Sequence, residues 1–268
     1  MPTYSTSSQV VRQYAFPDHK VAYTGATAYR TLARTSDAMK INGIPREVVF
    51  WHGTDGKWVY TCPLGGDDIE ITARIKEPGG QERASWGRDV SVSHFIDNFR
   101  EFCPPVWQLL GLVTYVQQFD YFAGPRLDTA VSSDGLAVLV GDASHPLSGA
   151  FGAGAGFALE DAYVLGGAIE WAVSAERPLA DALKLFDDVR TPHYNALYSV
   201  LDGFAAADAQ LLRRGLKPDE EIEARIEALW GQKHQWMYYY KVSVCDMMHI
   251  GKPSNTSVSR LKRRSWRL

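Results

Sequence analysis

GDASHPLSGAFGAGAGFALEDA, residues 141–162, is the stretch on which the reading of this chain turns. Just before it, LAVLV (136–140) is a continuous apolar run, the pattern of a strand covered on both faces of a sheet. Gly141 lets the chain turn and leaves Asp142 at the carboxyl end of that strand, where α/β sheets gather their ligands. A carboxylate there accepts hydrogen bonds from sugar or sugar-alcohol hydroxyls. Gly149, Gly152, Gly154 and Gly156, separated by Ala150, Phe151, Ala153 and Ala155, leave the backbone open to a flat ligand. Ala158, Leu159, Ala162, Leu165, Ala168, Ile169 and Ala172 then recur at helical spacing and predict a helix over 157–175. Its free N–H groups and positive dipole end would favour negative charge, and Glu160 and Asp161 fall in its expected first turn. The sequence contains no GxxxxGK[ST], and residues 152–156 are spaced GxGxG rather than GxGxxG, so the spacing is not a nucleotide-phosphate fingerprint. On spacing alone, a strand–loop–helix unit whose glycines only permit close packing is the favoured reading.

The rest of the chain sets the bounds. Its 268 residues suffice for one large or two modest domains, and 46% apolar with 22% charged residues can build a substantial core. The net charge of -3 argues against a nucleic-acid partner. Cys62, Cys103 and Cys245 are odd in number and widely spaced; they make neither a disulfide framework nor a zinc pattern and suit a reducing, cytoplasmic setting. No apolar run reaches the ~20 residues needed to span a membrane, and the N-terminus lacks the apolar core of a signal peptide.

Strands are expected over Val21–Leu32, Val48–Trp51, Lys57–Cys62, Asp68–Ile75 and Tyr115–Phe122, with Asp55-Gly56 marking a hairpin. Residues 93–112 read as helical, broken by Pro104-Pro105, and residues 181–250 as largely helical, punctuated by Pro178, Pro192 and Pro218. The last stretch carries Arg260, Lys262, Arg263, Arg264 and Arg267 and reads as a solvated basic tail.

Taken together, Gly141-Asp142-Ala143-Ser144-His145-Pro146, the turn Gly152–Gly156 and Glu160-Asp161-Ala162 closely resemble the second flavin-binding motif of class A FAD-dependent aromatic monooxygenases, in particular their salicylate-hydroxylase-like, fungal branch. YTGATAYRTL (23–32) is similar to the first substrate-domain strand of that family, and WVYTCPLGG (58–66) to a later one, with Cys62-Pro63 where Tyr-Pro is more usual. The resemblance covers roughly residues 10–200 and implies hydroxylation of a small phenolic or salicylate-like substrate with FAD, NAD(P)H and O2. It implies that Asp142 binds the ribityl chain and that the backbone of Gly154, Ala155 and Gly156 meets the pyrimidine edge of the flavin. It also implies that Pro146 shapes the loop beside the ring and that Arg30 and Tyr60 face the substrate. His145 fits the motif as a residue that steadies the loop.

The fold that follows is α/β, reduced to α+β here: a mixed-sheet substrate domain over 1–130, the second half of an FAD-binding domain over 131–190, and a C-terminal helical segment over 191–268. The family's GxGxxG unit is not found in the sequence, and Ser7–Arg12 is similar only to the tail of its Asp-Gly motif. By that resemblance about 170–200 residues of a typical member are lacking. A second reading therefore stays open, in which the chain is a catalytically silent fragment acting at most as an interaction module.

Overall fold

The computed structural model describes residues 7–77, 87–147 and 152–230. Gly149, Ala150 and Phe151 of the glycine-rich stretch, Cys245, the helix expected beyond 230 and the basic tail lie outside the described residues.

Helix α1 (Ser7–Ala15) leads into β1 (Ala22–Arg34), which runs straight into the short α2 (Thr35–Ala38). Strands β2 (Val49–His52) and β3 (Trp58–Pro63) form the expected hairpin. Its turn needs two consecutive positive φ angles, and Asp55 (56°) and Gly56 (70°) adopt them. Next come β4 (Asp68–Lys76), β5 (Arg88–Asp89), α3 (Val92–Asp97), α4 (Pro104–Leu110) and β6 (Gln117–Ala123). Ser91 caps α3 by accepting the His94 N–H, and Pro104 opens α4, where a missing N–H costs nothing.

The six strands pair antiparallel in the order β2-β3-β4-β1-β6-β5. Alternation sends Tyr29, Val59, Ile69, Ile71, Ala73 and Ile75 to one face, where they bury against Phe95, Phe99, Val106, Leu109 and Leu110 from α3 and α4. The outer face carries Phe50, Tyr60, Thr72, Arg30 and Gln117 as one cross-strand row, and His52, Trp58, Arg74, Ala28 and Phe119 as the next.

The second part is helical. Helices α5 (Gly154–Ser174) and α6 (Leu179–Arg213) are joined by the short connection 175–178 and packed through Val164, Ala168, Ala172, Ala182, Leu185 and Phe186; α7 (Pro218–Trp230) follows. Pro178 caps α6 and Pro218 opens α7, but Pro192 lies inside α6 without ending it. An internal proline costs about 3 kcal/mol. Here the helix is clamped on both sides, by Arg190 and by Tyr194, which are both buried. The same helix runs without a break through residues 190–191, where a domain boundary was expected.

The strand expected over Leu136–Val140 is not formed. Val138 makes a single bridge to Val131, the Leu139 N–H bonds to the Ala130 carbonyl, and Leu136 stays 78% exposed. A strand exists only through its ladder, and among the described residues this apolar run has only 130–132 beside it. The Asp134 carboxylate and the Ser132 hydroxyl close the intervening turn by accepting the Leu136 and Ala137 N–H groups. Asp142 thus follows an extended segment, not a sheet strand. Helix α5 also begins three residues earlier than expected, at Gly154, so Glu160 and Asp161 sit beyond its first turn and are not first-turn dipole partners.

Candidate functional site

The turn at Gly141–Ala143 is short and 3₁₀-like. Gly141 has φ +56°, and a Cβ on it would lie 3.2 Å from the Ala158 Cβ, so both the dihedral and the close approach of α5 require glycine. The turn is fixed from two sides. From α1, the Arg12 guanidinium donates to the carbonyls of Ala143 (2.8 Å) and Asp142 (2.7 Å). From α5, Asp161, fully buried, accepts four donors: the Gly141 N–H (2.8 Å), His145 Nε2 (2.8 Å), Arg190 Nε (2.8 Å) and the Tyr194 hydroxyl (2.5 Å). Arg190, equally buried, also reaches Glu160 (2.7 Å) and lies over the rings of Phe157 and Tyr194.

Burial alone would raise the Asp161 carboxyl. The hydrogen bonds from His145, Tyr194 and the Gly141 N–H, with the charge of His145, outweigh it and hold the group below its ordinary value. For Tyr194, burial and the neighbouring carboxylate push the phenol upward together. A buried carboxylate satisfied at both oxygens is a rigid fixture.

On this support Asp142 is exposed and stands beside the start of α5; a Cβ built on Gly154 would lie 3.6 Å from its Oδ1. The first intrahelical bond of α5 is from the Phe157 N–H to the Ala153 carbonyl, so the N–H groups of Gly154, Ala155 and Gly156 have no partner within the helix. A Cβ on Gly156 would meet open space. The site thus brings together one carboxylate acceptor and three amide donors without intrahelical acceptors, at the positive end of a 21-residue helix. Pro146 follows in the half-buried part of the loop, and the buried Leu147 anchors it against Phe157, Tyr194 and Leu197.

Arg30 and Tyr60 share the outer row of the sheet, with Thr72 between them. Arg30 is exposed and its guanidinium lies 5.4 Å from the Phe119 ring centre. Tyr60 packs on Phe50 (ring centres 4.9 Å apart), and its phenol is pushed up to about 12 by a hydrogen bond with Cys62 and by burial. Among the described residues no hydrogen bond or ion pair joins either side chain to the Asp142 turn.

Sequence reasoning missed Arg190 and Tyr194 altogether and saw Arg12 only as part of a motif remnant. The first two sit four residues apart on α6, a spacing that puts both on one face, but nothing local marks an arginine in a helix as buried.

No family model matches this sequence. The chain is 28% identical over 231 residues to a salicylate hydroxylase of Pseudomonas putida, a match covering 78% of this chain and 51% of that protein. It is 48% identical over 150 residues to the FAD-dependent monooxygenase SAT7 of Stachybotrys chartarum, covering 53% of this chain and 28% of the relative. Its fold matches the crystal structure of CtdE in complex with FAD and substrate 4, with a TM-score of 0.68 at 16% identity over 89% of this chain and 58% of that one. The chain therefore resembles FAD-dependent monooxygenases of the salicylate-hydroxylase type in sequence and shares the fold of such proteins. It spans about half the length of the curated relatives it matches.

Proposed function

We propose that the Asp142 turn and the first turn of α5 form the ring side of an FAD site, and that the outer row of the sheet around Arg30 and Tyr60 receives a small phenolic or salicylate-like substrate, which is hydroxylated with NAD(P)H and O2. The observation that carries the reading is the pairing of an exposed carboxylate, Asp142, with the amides of Gly154, Ala155 and Gly156, which have no acceptor within α5. The donor set suits the cofactor. A carboxylate accepts from the hydroxyls of a ribityl chain, and amides donate to carbonyl and nitrogen acceptors on the edge of a flat heterocycle. The missing side chains at 154 and 156 leave room for both. FAD, when bound, supplies the redox chemistry and the activation of O2.

The chain's own residues bind and orient. The α5 N-terminus stabilises negative charge brought to it, as fixed amide dipoles do without reorganising. Pro146 bounds the loop beside the ring. Arg30 pairs with the phenolate or carboxylate of the substrate, which its planar fork fits. Tyr60, with its phenol raised to about 12, remains protonated at neutral pH and is available to donate to a substrate oxygen.

The test is a fluorescence titration of the chain with FAD. Asp142→Ala should weaken binding ten- to a hundredfold, the equivalent of one charge-assisted hydrogen bond of roughly 1.5–3 kcal/mol. An affinity unchanged by Asp142→Ala would remove the basis of the reading.

A further inference from the structure

Away from the Asp142 turn, a cavity of about 360 Å³ lies between the outer face of the sheet and the far ends of α6 and α7. Its floor is the row His52, Trp58 and Arg74, and its roof includes Phe204, Leu211 and Arg225. Neither Asp142, Arg30 nor Tyr60 lines it.

Two buried nitrogens on the lining residues have no hydrogen-bond partner among the described residues: His52 Nε2 and Arg225 Nη2. Arg225 is only 5% exposed. Its other nitrogens are engaged, Nη1 with Asp208 and Nε with Glu221 (2.8 Å). Asp208 is itself shared with Lys76 (2.5 Å). Arg74 makes one hydrogen bond, to the Gly56 carbonyl at 3.2 Å, and no ion pair among the described residues. Three cations, Lys76, Arg74 and Arg225, thus meet two carboxylates, Asp208 and Glu221. A buried donor left unpaired is costly, and an unmatched guanidinium more so.

We infer that this cavity is a binding site for a small organic monocarboxylate, its carboxylate taken by Arg74 with the free Arg225 Nη2, and its apolar body lodged against Trp58, Phe204 and Leu211. A carboxylate, with two acceptor oxygens, matches the guanidinium fork and supplies the missing negative charge. The alanine and aromatic lining accommodates an apolar body, and the volume is that of a small-molecule pocket. The inference is independent of the flavin reading, because no lining residue belongs to the turn.

The probe is sodium benzoate, titrated by calorimetry into the full chain carrying Arg30→Ala, without FAD, so that the carboxylate contact proposed at Arg30 does not contribute. One-to-one binding is expected. Arg74→Gln should weaken it at least tenfold. Ala207→Leu, which fills the cavity and leaves every charge in place, should do the same, with circular dichroism melts confirming that both variants fold. Asp142→Ala should leave it unchanged. No binding to this chain, or binding that survives both cavity substitutions, would overturn the assignment. Equal affinity for inorganic phosphate would also overturn it, since the apolar body would then contribute nothing.

Discussion

The sheet and the α5–α6 pair are held together by opposite means. Under the sheet, the contacts are almost wholly apolar, with Ile69, Ile71, Phe95, Phe99, Leu109 and Leu110 fully buried. Between α5 and α6, the largest buried side chain is Arg190, and its partner Asp161 is equally inaccessible. The outer surfaces contrast too. Helix α5 is apolar on both sides, so that Phe157, Val164, Ala168 and Ala172 are covered while Leu159 and Val173 remain 73% and 65% exposed. Apolar packing is forgiving of small changes in shape. A buried charge network is not: it fixes one geometry or loses much of its stabilisation. The rigid fixture lies under the turn that presents Asp142, where a ligand contact needs a defined position.

The contrast breaks most readily at its centre. Asp161→Ala leaves Arg190 buried beside only Glu160 and frees the Gly141 N–H; a loss of about 3–5 kcal/mol is expected in urea unfolding. Ile71→Val under the sheet should cost only about 0.5–1.5 kcal/mol in the same measurement. If the two losses were equal, the distinction between the regions would fail.

The pH dependence sharpens the same point. Asp161 has a depressed carboxyl, so its contribution to stability is fully present above the unfolded value of about 4 and is lost as pH falls through the lower folded value. The native chain should therefore lose melting temperature steeply below about pH 4, and Asp161→Asn, though less stable at pH 7, should lose less over that interval. A parallel loss in both would show that other carboxylates govern acid unfolding. At the smallest end, Arg34→Ala, which removes an exposed pair with Asp67, should leave the melting temperature unchanged within error.

The same contrast explains what could be read from the sequence. Five of the six strands were legible, because a half-buried strand writes period two into its residues, as Ile69, Ile71, Ala73 and Ile75 do, and because Asp55-Gly56 signals its own turn; the two-residue β5 is too short to carry any period. Gly141-Asp142 and the glycines after it were legible as a motif. The strand at 136–140 was misread, because a continuous apolar run reports burial but not the neighbours needed for a ladder. The start of α5 was placed late, because Gly154 and Gly156 are poor helix formers that the fold nevertheless uses in the first turn. The Asp161 network was invisible, because its members come from residues 141, 145, 161, 190 and 194, and no local pattern links them.

The central proposal is that the first turn of α5 meets a flavin through the amides of Gly154, Ala155 and Gly156. Hydrogen–deuterium exchange at the Gly154, Ala155 and Gly156 amides, with and without FAD, tests it most directly. These N–H groups have no intrahelical acceptor and should exchange rapidly in the free chain. With FAD they should be slowed, and Asp142→Ala should diminish the slowing at equal FAD concentration. Exchange at 154–156 that is indifferent to FAD, while other amides of the chain become protected, would contradict the account.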